Sequence, residues 1–309
     1  MTQDERNALK RWEEHHKAIA ADVPVEDWLS QSDIDRKRKK LEEDPIAWIT
    51  YFFPKYAKYE FAPFHVRAIR RIIEHDEWYE VLSWSRELAK STVAMFICMY
   101  LALTKRKKFF VLASATIDSA KRLLAPYKIN FESNPRIRQF YGSQMTLGQW
   151  TDGEFTAKCG AKFFALGAGS APRGARNEDI RPDVIYMDDF DTDEDCRNPE
   201  TLKKKWDWFE ASLYPTRSIS EPTLILWCGN IIAKDCCIRR AGEKARHWDI
   251  VNIRDKNGRS TWPAKNTEEQ IDTVLSNIST KSAQAEYFNN PVSEGTIFKY
   301  LPFGKVPPL

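Results

Sequence analysis

The run TVAMFICMYLALT, from Thr92 to Thr104, is almost continuously apolar. It is longer than an ordinary strand and too short to cross a bilayer as a helix, which takes about 20 apolar residues. Together with Lys90 and Ser91 before it, the run reads as a helix buried on all faces, from Lys90 to Leu103. The flanking segments alternate in character. YEVLSW reads as a strand before it, KKFFVLASA as a strand after it, and DSAKRLLAPYKINFES as the next helix. Downstream, RPDVIYMDDFD and EPTLILWCGN are β-rich runs that end in polar residues, as buried parallel strands do at their carboxyl edge. This alternation predicts an α/β fold: a mostly parallel central sheet flanked by helices, with ligands bound at the carboxyl edge. A turn at Cys159-Gly160 predicts a β-hairpin inserted in that sheet. Two more helices are expected near Thr267 to Leu275 and Thr280 to Phe288.

Charge and cysteine content narrow the function classes. The 47 basic and 44 acidic residues of the 309 nearly cancel, for a net charge of +3, so no single-sign field coats the chain and stable wrapping of nucleic acid is not expected. The six cysteines show no C-x-x-C spacing, which argues for a reduced compartment and against a zinc site. The charged start, MTQDERNALKRWEEHHKA, lacks the apolar core of a signal peptide, so neither export nor a membrane is expected.

Residues 1–58 carry apolar residues at three-to-four spacing among charges and read as a helical arm or lid subdomain, 59–290 as the core, and the Pro-rich 291–309 as a linker. The basic block Arg36 to Lys40 is flanked by Asp33, Asp35, Glu42 and Glu43, so it reads as a solvated helix face rather than a nucleic-acid contact.

The chemistry centres on WSRELAKST, Trp84 to Thr92. A P-loop, G-x-x-x-x-G-K-[ST], lies between a strand and a helix and cradles phosphate on backbone N–H groups. Here Trp84 and Ala89 occupy the two glycine positions, but the strand, the helix, Lys90 and Ser91 are in place. The competing reading is a plain helix start with Ser91 as a cap. The second element favours the phosphate loop: DVIYMDD is a strand followed by Asp188 and Asp189, the pattern of a Walker B element. In that pattern the first acid holds Mg²⁺ and the second activates water. LILWCGN ends another strand in Gly229-Asn230, where an amide can sense the γ-phosphate.

These residues resemble the ATPase domain of the large terminase subunit, the motor that packages DNA into tailed-phage and herpesvirus capsids. The family's variant Walker A often reads Ser-Arg-x-x-Gly/Ala-Lys-Ser/Thr, and Ser85-Arg86-Glu87-Leu88-Ala89-Lys90-Ser91 fits it without a gap. YEFAPFHVRAI resembles the adenine-recognition segment, with Phe61, Pro63 and Phe64 in place and His65 where Gln is usual. VLASATIDSAKRLL, GSAPRGARNEDIRPDVIYMDD and AEYFNNPVSEGTIFK resemble the segments that follow the second strand, lead into Walker B, and leave the ATPase domain.

The resemblance implies an additional-strand (ASCE-type) P-loop NTPase with a small lid built from the N-terminal and last helices, using ATP and Mg²⁺. It places ATP on Ser85 to Thr92 and on Phe61, Pro63, Phe64 and His65, and Mg²⁺ on Ser91 and Asp188. Asp189 stands as the catalytic carboxylate, one methylene shorter than the usual Glu, with Glu194 and Asp191 as alternatives. Arg86 is the P-loop arginine, Gly229 and Asn230 form the coupling motif, and Arg173 and Arg176 are candidate fingers for a neighbour's site. The implied partners are double-stranded DNA, a portal protein, the small terminase subunit and further copies of the chain in a ring, commonly of five, in the cytoplasm of a bacterial host. A nuclease domain usually follows in the family; the chain ends where it would begin, so no nuclease activity is expected of it. Two other readings stay open: a helicase-like nucleic-acid-dependent ATPase, and a module that binds nucleotide without hydrolysis.

Overall fold

The structure, a computed structural model, describes residues 14, 23–146, 148–172 and 180–292. Its strands are β1 (Trp78–Trp84), β2 (Phe109–Ser114), β3 (Glu154–Thr156), β4 (Lys162–Gly167), β5 (Val184–Asp188), β6 (Leu224–Cys228) and β7 (His247–Val251). They form one sheet in the order β3-β4-β2-β5-β6-β1-β7. Every neighbouring pair is parallel except β3 with β4. The β3–β4 hairpin therefore extends one edge of the sheet and does not interrupt it, because β4 itself runs parallel to β2. Between β1 and β5, the two strands that carry the phosphate-loop and paired-acid motifs, lies β6.

The central strands read as unbroken apolar runs because both faces are covered. Along β5, Val184 and Tyr186 join one apolar layer while Ile185 and Met187 join the other. β6 divides in the same way, Leu224 and Leu226 against Ile225 and Trp227, as the two-residue period of a strand requires. The first layer is built from α1 (Gln31–Glu42), α2 (Pro45–Phe52), α3 (Pro63–Glu74), α4 (Lys90–Leu103), α5 (Ile117–Ser133) and α6 (Pro135–Tyr141). The second takes Leu202 and Trp206 of α8 (Pro199–Trp208), which follows the short α7 (Asp193–Arg197), and Ile238 and Ala241 of α9 (Cys237–Lys244). α10 (Glu268–Ser276) and α11 (Thr280–Phe288) follow the last strand, and Ile271 and Phe288 bring them onto the first layer. Every residue of α4 from Val93 to Leu103 is buried, which is why this helix shows no polar face.

α1 and α2 are separate helices because Asp44 caps Ile46 N–H and Pro45 takes the first position of the second helix, where it loses no hydrogen bond. The basic block on α1 is tied locally: Arg36 pairs with Asp33, Lys37 with Glu26, and Arg38 with Asp35 and Glu42. α2 and the Phe53 that follows it pack along the middle and carboxyl half of α4, with the Trp48 ring 5.2 Å from Tyr100 and Phe53 5.2 Å from Phe96. Tyr100 lies ten residues beyond Lys90, roughly 15 Å along the helix. α1 and α2 thus meet α4 beyond the loop, whereas α3 reaches the loop through His65 and α11 through Glu286.

Candidate nucleotide site

β1 ends at Trp84 and the chain turns at once. Ser85 N–H donates to Val251 O at 2.8 Å, Arg86 N–H to Glu286 O at 3.0 Å, and Leu88 N–H to Ser85 O at 3.4 Å. Glu87 and Ala89 both have positive φ, 68° and 58°. The two lost glycines therefore have different explanations. Trp84 is a fully buried strand residue whose indole N–H donates to Asp249, so the turn begins after it. Ala89 keeps the left-handed conformation that a glycine would hold without strain, and α4 starts from it, with Val93 N–H bonded to Ala89 O. Ala89→Gly is expected to stabilise the chain by about 0.5–1 kcal/mol, read as a shift of the urea midpoint. A loss of stability would show that the loop does not hold the left-handed turn.

At the carboxyl edge a cavity of about 600 Å³ brings the separated motifs together. Arg86 and Lys90 come from the loop, Asp188 and Asp189 from the end of β5, Gly229 and Asn230 from the end of β6, and Ser119 and Arg122 from α5. Lys90 Nζ donates to Asn230 Oδ1 at 2.9 Å. Asn230 Nδ2 in turn donates to Glu286 O at 2.5 Å, and Arg86 Nε to Glu286 Oε2 at 2.5 Å. α11 thus ties the loop to the segment after β6. A Cβ at Gly229 would come within 2.9 Å of Ile238 Cδ1, so a side chain there displaces the tip of Ile238.

Asp188 is 6% exposed and its Oδ1 has no hydrogen-bond partner. Burial pushes its carboxyl well above the ordinary range and the neighbouring Asp189 charge adds to this, while Lys90 and the Ser91 hydroxyl pull it back. An orphaned carboxylate oxygen beside a hydroxyl and an ammonium is a poor resting arrangement but a good hard-oxygen donor set for Mg²⁺. Among the described residues no three His, Cys, Asp or Glu converge as a metal cage. Mg²⁺ bound through one carboxylate and phosphate oxygens needs none.

Of the three candidate bases, Asp189 is exposed at the cavity, its backbone in the left-handed region at φ 41°. Asp191 is engaged: its two oxygens accept Cys237 and Ile238 N–H, both at 2.8 Å, and cap α9. Glu194 sits exposed on α7, and its neighbour Asp193 stands in the cavity wall. Arg173 and Arg176 lie outside the described residues.

The segment from Phe61 to His65 is placed behind the loop. Phe61 is half-buried against Phe96, Pro63 is an exposed first residue of α3, and Phe64 is buried against Trp84. His65 is fully buried, with Nδ1 accepting Ala62 N–H at 3.1 Å, so that Nε2 carries the proton and donates to Leu88 O at 3.0 Å. His65 therefore props the loop from below. Burial lowers its pKa to about 4. The unfolded chain takes up this proton near pH 6.5, before the folded one does, so stability falls as pH drops from there toward 4. The loss attributable to His65 is roughly 3 kcal/mol at pH 4. Urea unfolding at pH 7 and pH 4 is expected to show a larger drop for the native chain than for His65→Gln; parallel drops would mean that His65 does not resist protonation in the folded state.

Glu286 and Asn289 were not among the expected site residues. Asn289, buried at φ 49°, donates to Ser83 O at 2.9 Å and accepts Ile231 N–H at 3.0 Å, pinning β1 to the segment after β6. Its signal in the sequence is an Asn just past a helix end, a common left-handed cap. Nothing local marks Glu286.

No protein-family model matches the sequence and no curated protein aligns with it. Among solved structures, the large terminase of bacteriophage HK97 superposes with a TM-score of 0.56 at 13% identity, over 81% of this chain and 55% of that one. The large terminase ATPase domain of Thermus phage P74-26 gives 0.48 at 13% identity, over 72% and 93%. Dbp5 of S. cerevisiae gives 0.41 at 10%, over 69% and 52%. The chain thus spans about half the length of the HK97 protein. Among the described residues, seven strands with β6 interposed between the phosphate-loop strand and the paired-acid strand, flanked by helices, give this chain a P-loop fold of the additional-strand type, built like that of the HK97 large terminase.

Proposed function

We propose that this chain is the ATP-hydrolysing motor domain of a phage large terminase subunit, driving double-stranded DNA into a procapsid. The observation that carries the reading is the meeting of Lys90, Asp188 and Asp189 in one cavity at the carboxyl edge, with a buried Asp188 oxygen left unpartnered. In this reading Lys90 leaves Asn230 to hold the β- and γ-phosphates, Ser91 and Asp188 hold Mg²⁺, and Asp189 orients and deprotonates the attacking water. Held there by Ser91 and Asp188, Mg²⁺ would supply positive charge to offset the charge that develops on the phosphates. Arg86 exchanges Glu286 for the transferring phosphoryl group. Because Lys90 and Arg86 are both tied through Glu286, ATP binding loosens α11 and transmits the nucleotide state to the last helices of the chain. The terminase resemblance of the motifs supports double-stranded DNA, a portal, the small subunit and a homo-oligomeric ring as partners, in a bacterial cytoplasm; among the described residues no helix is long and apolar enough to cross a membrane.

Phosphate release from Mg-ATP, at high protein concentration, tests the reading. Lys90→Ala is expected to reduce turnover about 10²–10³-fold, the usual cost of removing a group that stabilises transition-state charge. Equal rates in the two proteins would sink the proposal. Tight nucleotide binding without turnover in either would favour the binding-module reading, to which the Asp in place of Glu at 189 also points.

A further inference from the structure

The loop has a second cavity on its other side. Arg86 and Glu286 stand in the wall of the cavity described above, while the next residue of each, Glu87 and Tyr287, stands in the wall of a cavity of about 320 Å³. The two cavities thus flank the same two segments of chain, which the Arg86–Glu286 ion pair joins. Glu87 is three residues before Lys90, at most about 11 Å away along an extended chain, within the reach of a nucleoside whose phosphates lie on Lys90.

The second cavity has the make-up of a small-molecule site, mostly apolar with a few placed polar groups. Tyr59, Ile253, Ile271 and Tyr287 supply apolar and ring surface, and Asn266 and Gln270 supply carboxamides. Lys265 Nζ bonds Glu87 O and Oε2 at 2.9 and 2.7 Å, and Gln270 Oε1 accepts Thr267 N–H at 2.9 Å in a capping box. Asn266 is 9% exposed and its Nδ2 has no partner. A buried amide donor left unmet is costly, and a ligand that accepts from it recovers that cost.

We propose that this cavity receives the base of the nucleotide and that Asn266 selects adenine, pairing its amide donor and carbonyl acceptor with N7 and N6 of the purine edge. A carboxamide matches that edge in both senses, whereas guanine offers two acceptors there. The inference rests on the ATP reading above. It assigns base selection to the segment before α10 and not to His65, whose two ring nitrogens are both engaged by backbone.

The test is fluorescence titration with N-methylanthraniloyl-labelled ADP and GDP, and competition by inorganic triphosphate, for the native chain, Asn266→Ala and Val274→Trp. Val274 lines the cavity and is 42% exposed, so a larger ring there fills the cavity without entering the core. Asn266→Ala is expected to weaken ADP about fivefold to a hundredfold and to narrow the ADP-over-GDP preference. Val274→Trp weakens both nucleotides, and neither variant changes competition by triphosphate. Unchanged ADP affinity and preference in both variants, with triphosphate still bound, overturns the assignment of the base. Equal weakening of ADP and triphosphate by Asn266→Ala also overturns it, since the residue would then act on the loop. If the native chain binds neither ADP nor triphosphate, the ATP reading fails first and this inference falls with it.

Discussion

Asp189→Asn is expected to lower kcat for ATP hydrolysis by about 10²–10⁴-fold while nucleotide affinity stays nearly unchanged, because a positioned general base contributes that much and acts only as the water is attacked. The substitution suits the site. Asn tolerates the left-handed region as well as Asp does, so φ 41° at this position is kept. Among the described residues the Asp189 side chain makes no hydrogen bond, and only its backbone N–H is engaged, with Cys228 O at 3.1 Å. The neighbouring acids supply the controls. Glu194→Gln is expected to leave the rate within about twofold, as for an exposed residue off the cavity. Asp191→Asn removes one of the two acceptors that cap α9 and is expected to act on stability, by about 1 kcal/mol, before it acts on the rate. Single-turnover measurements with saturating Mg-ATP separate these outcomes. A rate lost in Glu194→Gln and kept in Asp189→Asn would reverse the assignment.

The second large effect lies in the strand that leads into the loop. Glu80 is fully buried in the middle of β1. Its carboxylate accepts Arg71 Nη2 at 2.5 Å and Nε at 3.1 Å, Trp78 Nε1 at 2.6 Å, and stands 3.0 Å from His247 Nδ1. Asp249 extends the network, 3.7 Å from Arg71 and accepting Trp84 Nε1 at 3.1 Å. Three elements meet there: α3 through Arg71, β1 through Glu80, and the edge strand β7 through His247 and Asp249. Glu80→Ala is expected to cost about 3 kcal/mol, since it removes the buried acceptor of the Arg71 guanidinium and the Trp78 indole and leaves Arg71 only Asp249 at 3.7 Å. That is a large share of the 5–15 kcal/mol that holds an ordinary domain together. Urea unfolding gives the number directly. A double substitution, Glu80→Leu with Arg71→Leu, is expected to recover much of the loss, because a buried ion pair is costly to break singly and far less so to replace whole. A small loss in Glu80→Ala, under about 1 kcal/mol, would show that water relieves the network.

The elements that rest on local pattern were legible in the sequence. The apolar run after Ser91 had one sensible reading, and α4 spans Lys90–Leu103 as expected. The strands β1, β2, β5 and β6 were marked by β-rich apolar runs, and α11 by its spacing; each depends on neighbours within a few residues. The paired motifs could be matched across the roughly hundred residues between them because each is a short pattern tied to a strand end, and parallel strands bring their carboxyl ends to one edge whatever their order. Other features were illegible for one physical reason. Glu80 in YEVLSW looks like the solvent-facing member of an alternating strand, and only the position of β1 between β6 and β7, under α3, buries its carboxylate. His65 occupies an expected binding segment, yet its partners are the carbonyl of Leu88 and the N–H of Ala62, and packing turned it inward. Glu286 meets Arg86 across two hundred positions of chain. Periodicity, capping and turn chemistry are short-range and reach the page in order along the chain, whereas a buried ion pair, a propped loop and a clamp between distant helices arise from which strands become neighbours, and that is set by the packing of the whole sheet.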